Sequence, residues 1–255
     1  MRVVSTACSN TEIVCALGCA DLLVGVDDHS DYPEDVVQDL PRVGPDLGVD
    51  PEKVLALEPD LVLASLTVPG HEKVVEALEQ TGLRVVAPEP VSLADVRRDI
   101  AQIGDLLGVP DRAAALAAEL ELEASDPPPV PPKILVEWWP KPVIAPGEQS
   151  WVTQLIELAG GVNPLASDPS KSRPLSNEEV AEIDPDAIVI SWCGVHPSKY
   201  RPDVVLDRPE TGETRAVREG HVFCIAEAHL GRPGPRLVDG LRDLRQVVQK
   251  VARLG

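Results

Sequence analysis

Aromatic residues and methionine are scarce in this chain. Its 255 residues include one Phe, two Tyr, four Trp and one Met, although 44% of the sequence is hydrophobic. The core is therefore expected to be aliphatic, and the few rings are candidates for a role outside it. A chain of this length and hydrophobicity can bury a sizeable core, which excludes a disordered or coiled-coil protein.

Basic residues and long apolar runs are also lacking. The 23 Lys and Arg are outnumbered by 42 Asp and Glu, which gives a formal net charge of −19 at pH 7. Such a surface repels nucleic acid and anionic membranes, so neither is expected as a partner. No segment approaches the roughly 18 consecutive apolar residues of a membrane helix. No leader precedes the first apolar segment, which predicts a cytoplasmic chain without membrane insertion.

The cysteines and the missing motifs bear on chemistry. Five cysteines, an odd number lying mostly in apolar segments, favour buried thiols in a reducing compartment over a disulfide framework. The sequence contains no Gly-x-Ser-x-Gly, Gly-x-Gly-x-x-Gly, phosphate-loop or Cys-x-x-Cys motif, and its histidines lack metal-ligand spacing. We therefore predict no catalytic residue, no catalytic cofactor and no dedicated metal site.

The most informative feature is an internal repeat. Residues 52–65 match residues 178–191 at a constant offset of 126, and each copy predicts a short helix, an acidic-Pro-Asp turn and an apolar strand. Farther along, Gly82–Glu89 matches Gly220–Glu227 at an offset of 138, so the second copy holds 12 extra residues. The chain is thus expected to contain two equivalent lobes.

Apolar strands without polar alternation, separated by helical stretches, indicate parallel sheets covered on both faces. We predict an α/β fold of two Rossmann-like lobes, at residues 1–108 and 133–255. A single connecting helix and a Pro-rich spacer at residues 109–132 would join them, with a ligand cleft between the lobes. The predicted strands are Arg2–Ser5, Leu22–Val26, Leu61–Ser65, Arg84–Ala87, Ile134–Val136, Ala187–Ser191 and Val222–Ile225.

Five of the seven aromatic residues fall in loops that follow the predicted strands. This placement suits a large, flat, partly apolar ligand, which rings cover at low entropic cost. The alternative is that the adjacent Trp138 and Trp139 only seal the junction of the lobes. The five loop aromatics are Tyr32, Trp138, Trp139, Trp192 and Tyr200.

Charged residues in the same loops are candidates for polar contacts. Arg173 and Arg232, each followed by proline, are suited to carboxylate, phosphate or amide groups of a ligand, unless they pair with the chain's own carboxylates. A loop histidine can coordinate a metal already held in a macrocycle, or can simply be solvated. The loop histidines are His29, His71, His196 and His229.

Several motifs together resemble the helical-backbone class of ABC-importer substrate-binding proteins, and most of all its cobalamin-binding branch. The resemblance covers nearly the whole chain and implies two α/β lobes that bind and deliver a ligand without catalysis. It implies further a corrinoid ligand, an ABC permease as partner and an extracytoplasmic location. Since no leader is recognised, a cytoplasmic relative that hands over the corrinoid inside the cell is the alternative, and a monomer is expected. The motifs are Ser9–Ile13, Leu23–Val26, Ser30–Pro33, Arg42–Gly44, Glu58–Val62, Trp138–Gly147, Ala159–Asn163, Ser176–Ser191 and Arg232–Leu237.

The resemblance also implies roles for particular residues. An aromatic wall would surround the corrin ring, with His29 standing where an aromatic is expected, and polar contacts would come from Arg173, Glu227 and Arg232. One exposed acid on each lobe would dock the permease: Glu72 on the first, and Glu213 or Glu210 on the second. The aromatic wall comprises Tyr32, Trp138, Trp139 and Trp192.

Two other functions remain open from the sequence. An iron chelate, either a siderophore or haem, would rely on the arginines and on His29 or His229 as a ligand. A tetrapyrrole-processing enzyme such as a chelatase would use a histidine and a glutamate to take pyrrole protons.

Overall fold

The computed structural model describes residues 1–254, with side chains to residue 252. Contacts divide the chain into two compact units: the first comprises Met1–Pro90 and Ala94–Leu120, and the second comprises Val91–Leu93 and the chain from Glu121 onward. Within the described residues, no helix combines the length and the apolar character needed to span a bilayer.

The first unit is built on a four-stranded parallel sheet. Its strand order is β2-β1-β3-β4, and the residues of β1 and β3 are buried on both faces. Burial on both sides explains why these strands are continuous apolar runs rather than alternating ones. The elements are β1 (Val3–Ser5), α1 (Cys8–Ala16), β2 (Leu23–Val26), α2 (Glu34–Val37), α3 (Pro51–Ala56), β3 (Leu61–Leu63), α4 (His71–Glu79), β4 (Val85–Val86), α5 (Leu93–Leu106) and α6 (Pro110–Glu119).

The second unit contains two sheets. A parallel sheet has the order β10-β9-β5, and a small antiparallel sheet has the order β6-β7-β8. The elements are β5 (Ile134–Glu137), β6 (Trp139–Pro140), β7 (Val143–Pro146), α7 (Trp151–Leu158), β8 (Ser172–Leu175), α8 (Asn177–Ile183), β9 (Ala187–Ile190), α9 (Pro202–Leu206), α10 (Arg215–Arg218), β10 (Val222–Cys224), α11 (Glu227–Leu230) and α12 (Leu237–Leu254).

The internal repeat is visible in the backbone and its hydrogen bonds. Glu58 and Asp184, separated by the offset of 126, both adopt left-handed conformations, with φ of 47° and 44°. Two residues later, Asp60 Oδ2 accepts a hydrogen bond of 2.7 Å from the N–H of Arg2. Asp186 Oδ2 accepts one of 2.7 Å from the N–H of Lys133. The same turn therefore leads into the same parallel strand pair in both units, and all seven predicted strands are present.

The predicted connector at residues 109–132 contributes to both units, with its residues up to Leu120 in the first and those from Glu121 in the second. Its helix, α6, packs on the first unit, where Arg112 Nη1 donates a hydrogen bond of 3.1 Å to the carbonyl of Leu17. Its Pro-rich part lies along the second unit, where the N–H of Val162 donates one of 2.9 Å to the carbonyl of Pro132. The helix is amphipathic, and its apolar face is buried in the first unit.

The antiparallel sheet β6-β7-β8 is absent from the strands that the sequence predicts. In β7, Val143 and Ala145 are buried and the intervening Ile144 is not, which is the alternation of a strand with one face in the core. Strand β7 is only four residues long. Pro142 precedes it and Pro146 is its last residue, so its alternation is hard to recognise in the sequence.

The expectation of mostly buried thiols is also corrected. Cys193 and Cys224 are exposed, Cys8 and Cys15 are half-buried, and Cys19 is buried. Cys193 and Cys224 lie at or beyond the carboxyl ends of strands β9 and β10, where the chain leaves the covered part of the sheet.

Candidate ligand-binding site

In the first unit, a buried aspartate anchors the loop that follows β2. Asp27 Oδ1 accepts a hydrogen bond of 2.5 Å from Ser30 Oγ, and its Oδ2 accepts one of 2.9 Å from the N–H of His29. Burial raises the pKa of Asp27, and these hydrogen bonds oppose that rise. Arg42 Nη1 also donates to the carbonyls of Asp27 and Ser30, at 2.8 and 2.6 Å. The backbone of this loop is therefore held firmly.

Two candidate ligand contacts are exposed on this anchored loop. Tyr32 is 48% exposed, and the side chain of His29 is 41% exposed. Both side chains are thus accessible to solvent at the carboxyl end of the parallel sheet, where the sequence analysis places candidate ligand contacts.

A single carboxylate lies beside two histidines in the same unit. Asp46 Oδ1 is 3.5 Å from His29 Nε2, and Asp46 Oδ2 is 3.5 Å from the Nε2 of the buried His71. His71, together with His29, holds the pKa of Asp46 below its usual value, against the effect of burial. A carboxylate next to an imidazole orients the ring, as at many sites where histidine binds a metal. Among residues 1–254, no group of three or more His, Cys, Asp or Glu could hold a bare metal ion.

In the second unit, the antiparallel hairpin carries the tryptophan pair. Trp139 is 43% exposed on β6, whereas the neighbouring Trp138 is half-buried. The N–H of Trp138 donates a hydrogen bond of 2.8 Å to the carbonyl of Ile144. Trp139 therefore presents a ring from a rigid strand rather than from a loop.

Trp192 does not line an exposed surface, which corrects its predicted place in the aromatic wall. It is 5% exposed and contacts Tyr200 edge to face in the hydrophobic core, with ring centroids 5.8 Å apart. Burial raises the pKa of Tyr200 to about 12. The Tyr200 hydroxyl accepts a hydrogen bond of 3.0 Å from the N–H of Glu227, so the loop after β9 folds back over its own unit.

Arg173 is paired with carboxylates of the chain itself. Its Nε donates a hydrogen bond of 2.8 Å to Asp168 Oδ2, and its Nη1 donates one of 2.9 Å to Glu179 Oε1. Arg232 is buried, and its Nε donates one of 3.1 Å to Glu227 Oε2. Two predicted ligand contacts therefore contact each other, and Arg173 already has two acidic neighbours.

The predicted docking acids are on the surface. Glu72 lies in the first turn of α4, where its own N–H and that of Gly70 hold its pKa below the usual value. Glu210 belongs to the 3₁₀ turn Pro209–Thr211, and Glu213 follows that turn; both are exposed.

The remaining predicted histidines have partners of their own. His229 Nδ1 lies 2.8 Å from Asp243 Oδ2, which ties α11 to α12. His196 is exposed, and its Nδ1 lies 2.7 Å from Ser198 Oγ.

Sequence reasoning missed one buried ion pair. Arg208 Nη1 and Nη2 donate hydrogen bonds of 2.6 and 3.0 Å to the two carboxylate oxygens of Glu137, which is completely buried. Burial raises the pKa of Glu137, and Arg208 opposes that rise. The sequence signal was a glutamate directly after the apolar strand residues 134–136, but its partner lies 71 residues away.

Comparisons with known proteins agree with this architecture. The family model described as periplasmic binding protein matches residues 3–228. The vitamin B12-binding protein of Vibrio parahaemolyticus is 25% identical over 257 residues, covering 99% of this chain and 90% of the relative. The ABC transporter substrate-binding lipoprotein YvrC of Bacillus subtilis is 27% identical over 261 residues, covering 97% of this chain and 79% of the relative.

A solved structure extends the comparison. The periplasmic heme-binding protein RhuT from Roseiflexus sp. RS-1, in its apo form, superposes with a TM-score of 0.81 at 28% identity, covering 98% of each chain. With the family model matching most of the sequence, this chain belongs to the periplasmic binding protein family, whose members bind a small molecule rather than transform one.

Proposed function

We propose that this protein binds a cobalamin-like corrinoid and delivers it to an ABC permease. Substrate binding for ABC-type uptake follows from the family; the corrinoid is our proposal. The observation that carries it is the exposure of two rings, Tyr32 at 48% and Trp139 at 43%, in a chain with only seven aromatic residues. Exposing a large ring to water is unfavourable, so each of these rings is suited to contact a flat, partly apolar ligand.

The same reasoning gives the supporting contacts. Trp138 extends the apolar surface beside Trp139, and His29 lies in the same anchored loop as Tyr32. We propose Arg173, Glu227 and Arg232 as polar contacts, once a ligand competes for their present partners. Trp192 is not part of this proposal because it is a core residue.

The partner and the location follow the family rather than the first residues of the sequence. Relatives are described as a lipoprotein and as periplasmic proteins, which does not support the cytoplasmic location predicted above. We propose an extracytoplasmic protein whose exposed Glu72 and Glu213, with Glu210 beside it, contact the permease. The chelatase alternative is not supported, because the family consists of binding proteins.

Haem is the second candidate, and the arrangement of His29 and Asp46 favours it. A half-exposed imidazole beside a carboxylate is suited to bind an iron centre. The heme-binding RhuT is as similar to this chain as the vitamin B12-binding relatives are.

Titration with each ligand class tests the proposal. We expect cyanocobalamin and dicyanocobinamide to quench tryptophan fluorescence with 1:1 stoichiometry and to give measurable heat in calorimetry. Absence of both signals with both corrinoids would refute the corrinoid proposal. Hemin is titrated in parallel with His29→Ala and with the control His196→Ala; a haem absorption band that only His29→Ala shifts would establish haem as the ligand.

A further inference from the structure

The buried pair of Glu137 and Arg208 has no counterpart in the first copy of the repeat. Val136 pairs with Val189 in the second unit as Ser5 pairs with Leu63 in the first, so the next residue, Glu137, corresponds to Thr6. Thr6 is also buried, but its Oγ1 only contacts the Leu63 carbonyl, at 3.4 Å. The copy with Glu at this position is therefore also the copy with the extra residues.

The arginine that pairs with this glutamate comes from the extra segment itself. Arg208 lies between α9 and the 3₁₀ turn Pro209–Thr211, in the stretch that lengthens the connection between β9 and β10. Besides its two bonds to Glu137, its Nη2 donates one of 3.3 Å to the carbonyl of Pro140. Glu137 and Pro140 flank Trp138 and Trp139, so one guanidinium contacts both sides of the tryptophan pair.

The following residues carry the acids that we propose for docking. Glu210 lies two residues after Arg208, and its Oε2 accepts a hydrogen bond of 3.2 Å from Asn177 Nδ2 on α8. Glu213 is exposed between the buried Thr211 and Thr214, and the N–H of Arg215 donates a hydrogen bond of 2.7 Å to Asp184 Oδ1. Arg208 is therefore the buried anchor at the beginning of this acidic stretch.

A gain in folding stability does not explain why the chain contains a buried pair of charges. Removing two charges from water is costly, and replacing a buried ion pair by apolar side chains is often neutral or stabilising. Two planar bidentate groups do, however, fix the distance and the orientation between two segments. The charge pair is suited to geometric control of the extra segment.

We propose that Arg208 is a positioning residue that holds the acidic stretch 209–213 in a fixed arrangement with the Trp138–Trp139 hairpin. This proposal rests on the proposed function only for the roles of the two segments; the anchoring concerns the protein without ligand. A ligand that contacts the hairpin then changes the arrangement of the acidic residues that contact the permease.

Amide hydrogen exchange tests the anchoring in the intact protein. Arg208→Met alone leaves Glu137 buried without its partner and endangers folding, so the main variant is Glu137→Met/Arg208→Met. We expect exchange in residues 206–214 to rise at least about tenfold, while amides in β5 and β9 stay within about twofold of the parent. The single variant Arg208→Lys should keep part of the exchange protection of residues 206–214 that the double variant loses. The matched control is Arg201→Met/Asp203→Met, which removes an exposed pair near the same segment and should change nothing there.

A second measurement separates this proposal from the proposed function. With cyanocobalamin or hemin bound, we expect the parent to gain protection in residues 206–214, and the double variant to bind within about threefold of the parent affinity without that gain. Parent-like exchange of 206–214 in the free double variant, or a uniform increase over the whole second unit, would overturn the positioning role. A selective increase in a protein that binds neither probe would support the anchoring and refute the proposed function.

Discussion

Replacing Trp139 by alanine should weaken ligand binding by an amount that follows from its exposure. A tryptophan side chain can bury up to about 250 Å². The ring is 43% exposed, so a ligand that stacks on it removes about 100 Å² from water. At about 25 cal/mol per Å², that contact contributes about 2.5 kcal/mol, or about 70-fold in Kd.

Isothermal titration calorimetry with cyanocobalamin measures this loss directly. Trp139→Leu should lose less than Trp139→Ala, because leucine keeps part of the apolar surface and of the hairpin packing. The control is Val130→Ala, which truncates a side chain that is 80% exposed in the Pro-rich stretch. Circular dichroism and thermal melting check that each variant is folded.

The result that would contradict this reasoning is specific. If the parent binds cyanocobalamin and the folded Trp139→Ala variant binds it within about threefold, the exposed ring is not part of the binding surface. The corrinoid proposal would then lose the observation on which it depends. If Val130→Ala weakens binding as much as Trp139→Ala does, the loss of affinity is not specific to the Trp139 ring.

Three further outcomes follow from buried and strained groups. Burial raises the pKa of Asp99 to about 6 from 3.8, so the folded state loses up to about 3 kcal/mol as the pH rises from about 4 to 6. Asp99→Asn should accordingly raise the melting temperature at pH 7 but not at pH 4. The control Asp105→Asn, at an exposed position on the same helix, should show no such dependence on pH. An equal gain for Asp99→Asn at both pH values would contradict this. Glu58→Gly should stabilise by about 0.5–1 kcal/mol, because glycine tolerates its φ of 47°. Asp184→Gly should show no net gain in denaturant unfolding, because it also removes the oxygen that accepts from the N–H of Arg215; equal gains in the two variants would refute that account.

Strands and repeats were predictable from the sequence because they depend on local composition. The apolar runs at Leu61–Leu63 and Ala187–Ile190 are buried on both faces, and the acidic-Pro-Asp turns before them set the same backbone twice. The β6-β7-β8 sheet was missed because each of its strands contains a proline, Pro140, Pro146 or Pro174, and a proline in the sequence argues against a strand.

The five aromatic residues predicted in loops differ in exposure for a physical reason. Tyr32 and Trp139, which follow the parallel strands β2 and β5, are exposed, and their contact with a ligand stays a prediction. Trp192 and Tyr200, which follow β9, are buried because the loop that holds them folds back and closes through the hydrogen bond to the N–H of Glu227. Sequence position shows where a strand ends, but the direction of the next loop depends on contacts that are distant in sequence.

The differences between the two copies of the repeat matter most for function. Where the copies agree, as at Asp60 and Asp186, the shared residues build the turn and the strand that any such unit needs. Where they differ, as at Thr6 and Glu137, the second copy contains a buried charge whose partner lies in its own longer connection between β9 and β10. A buried charge and a distant countercharge are harmful singly and tolerable only together. The pair is therefore best understood as one unit, because each charge depends on the other, and the variant that replaces both residues is the one that tests its role.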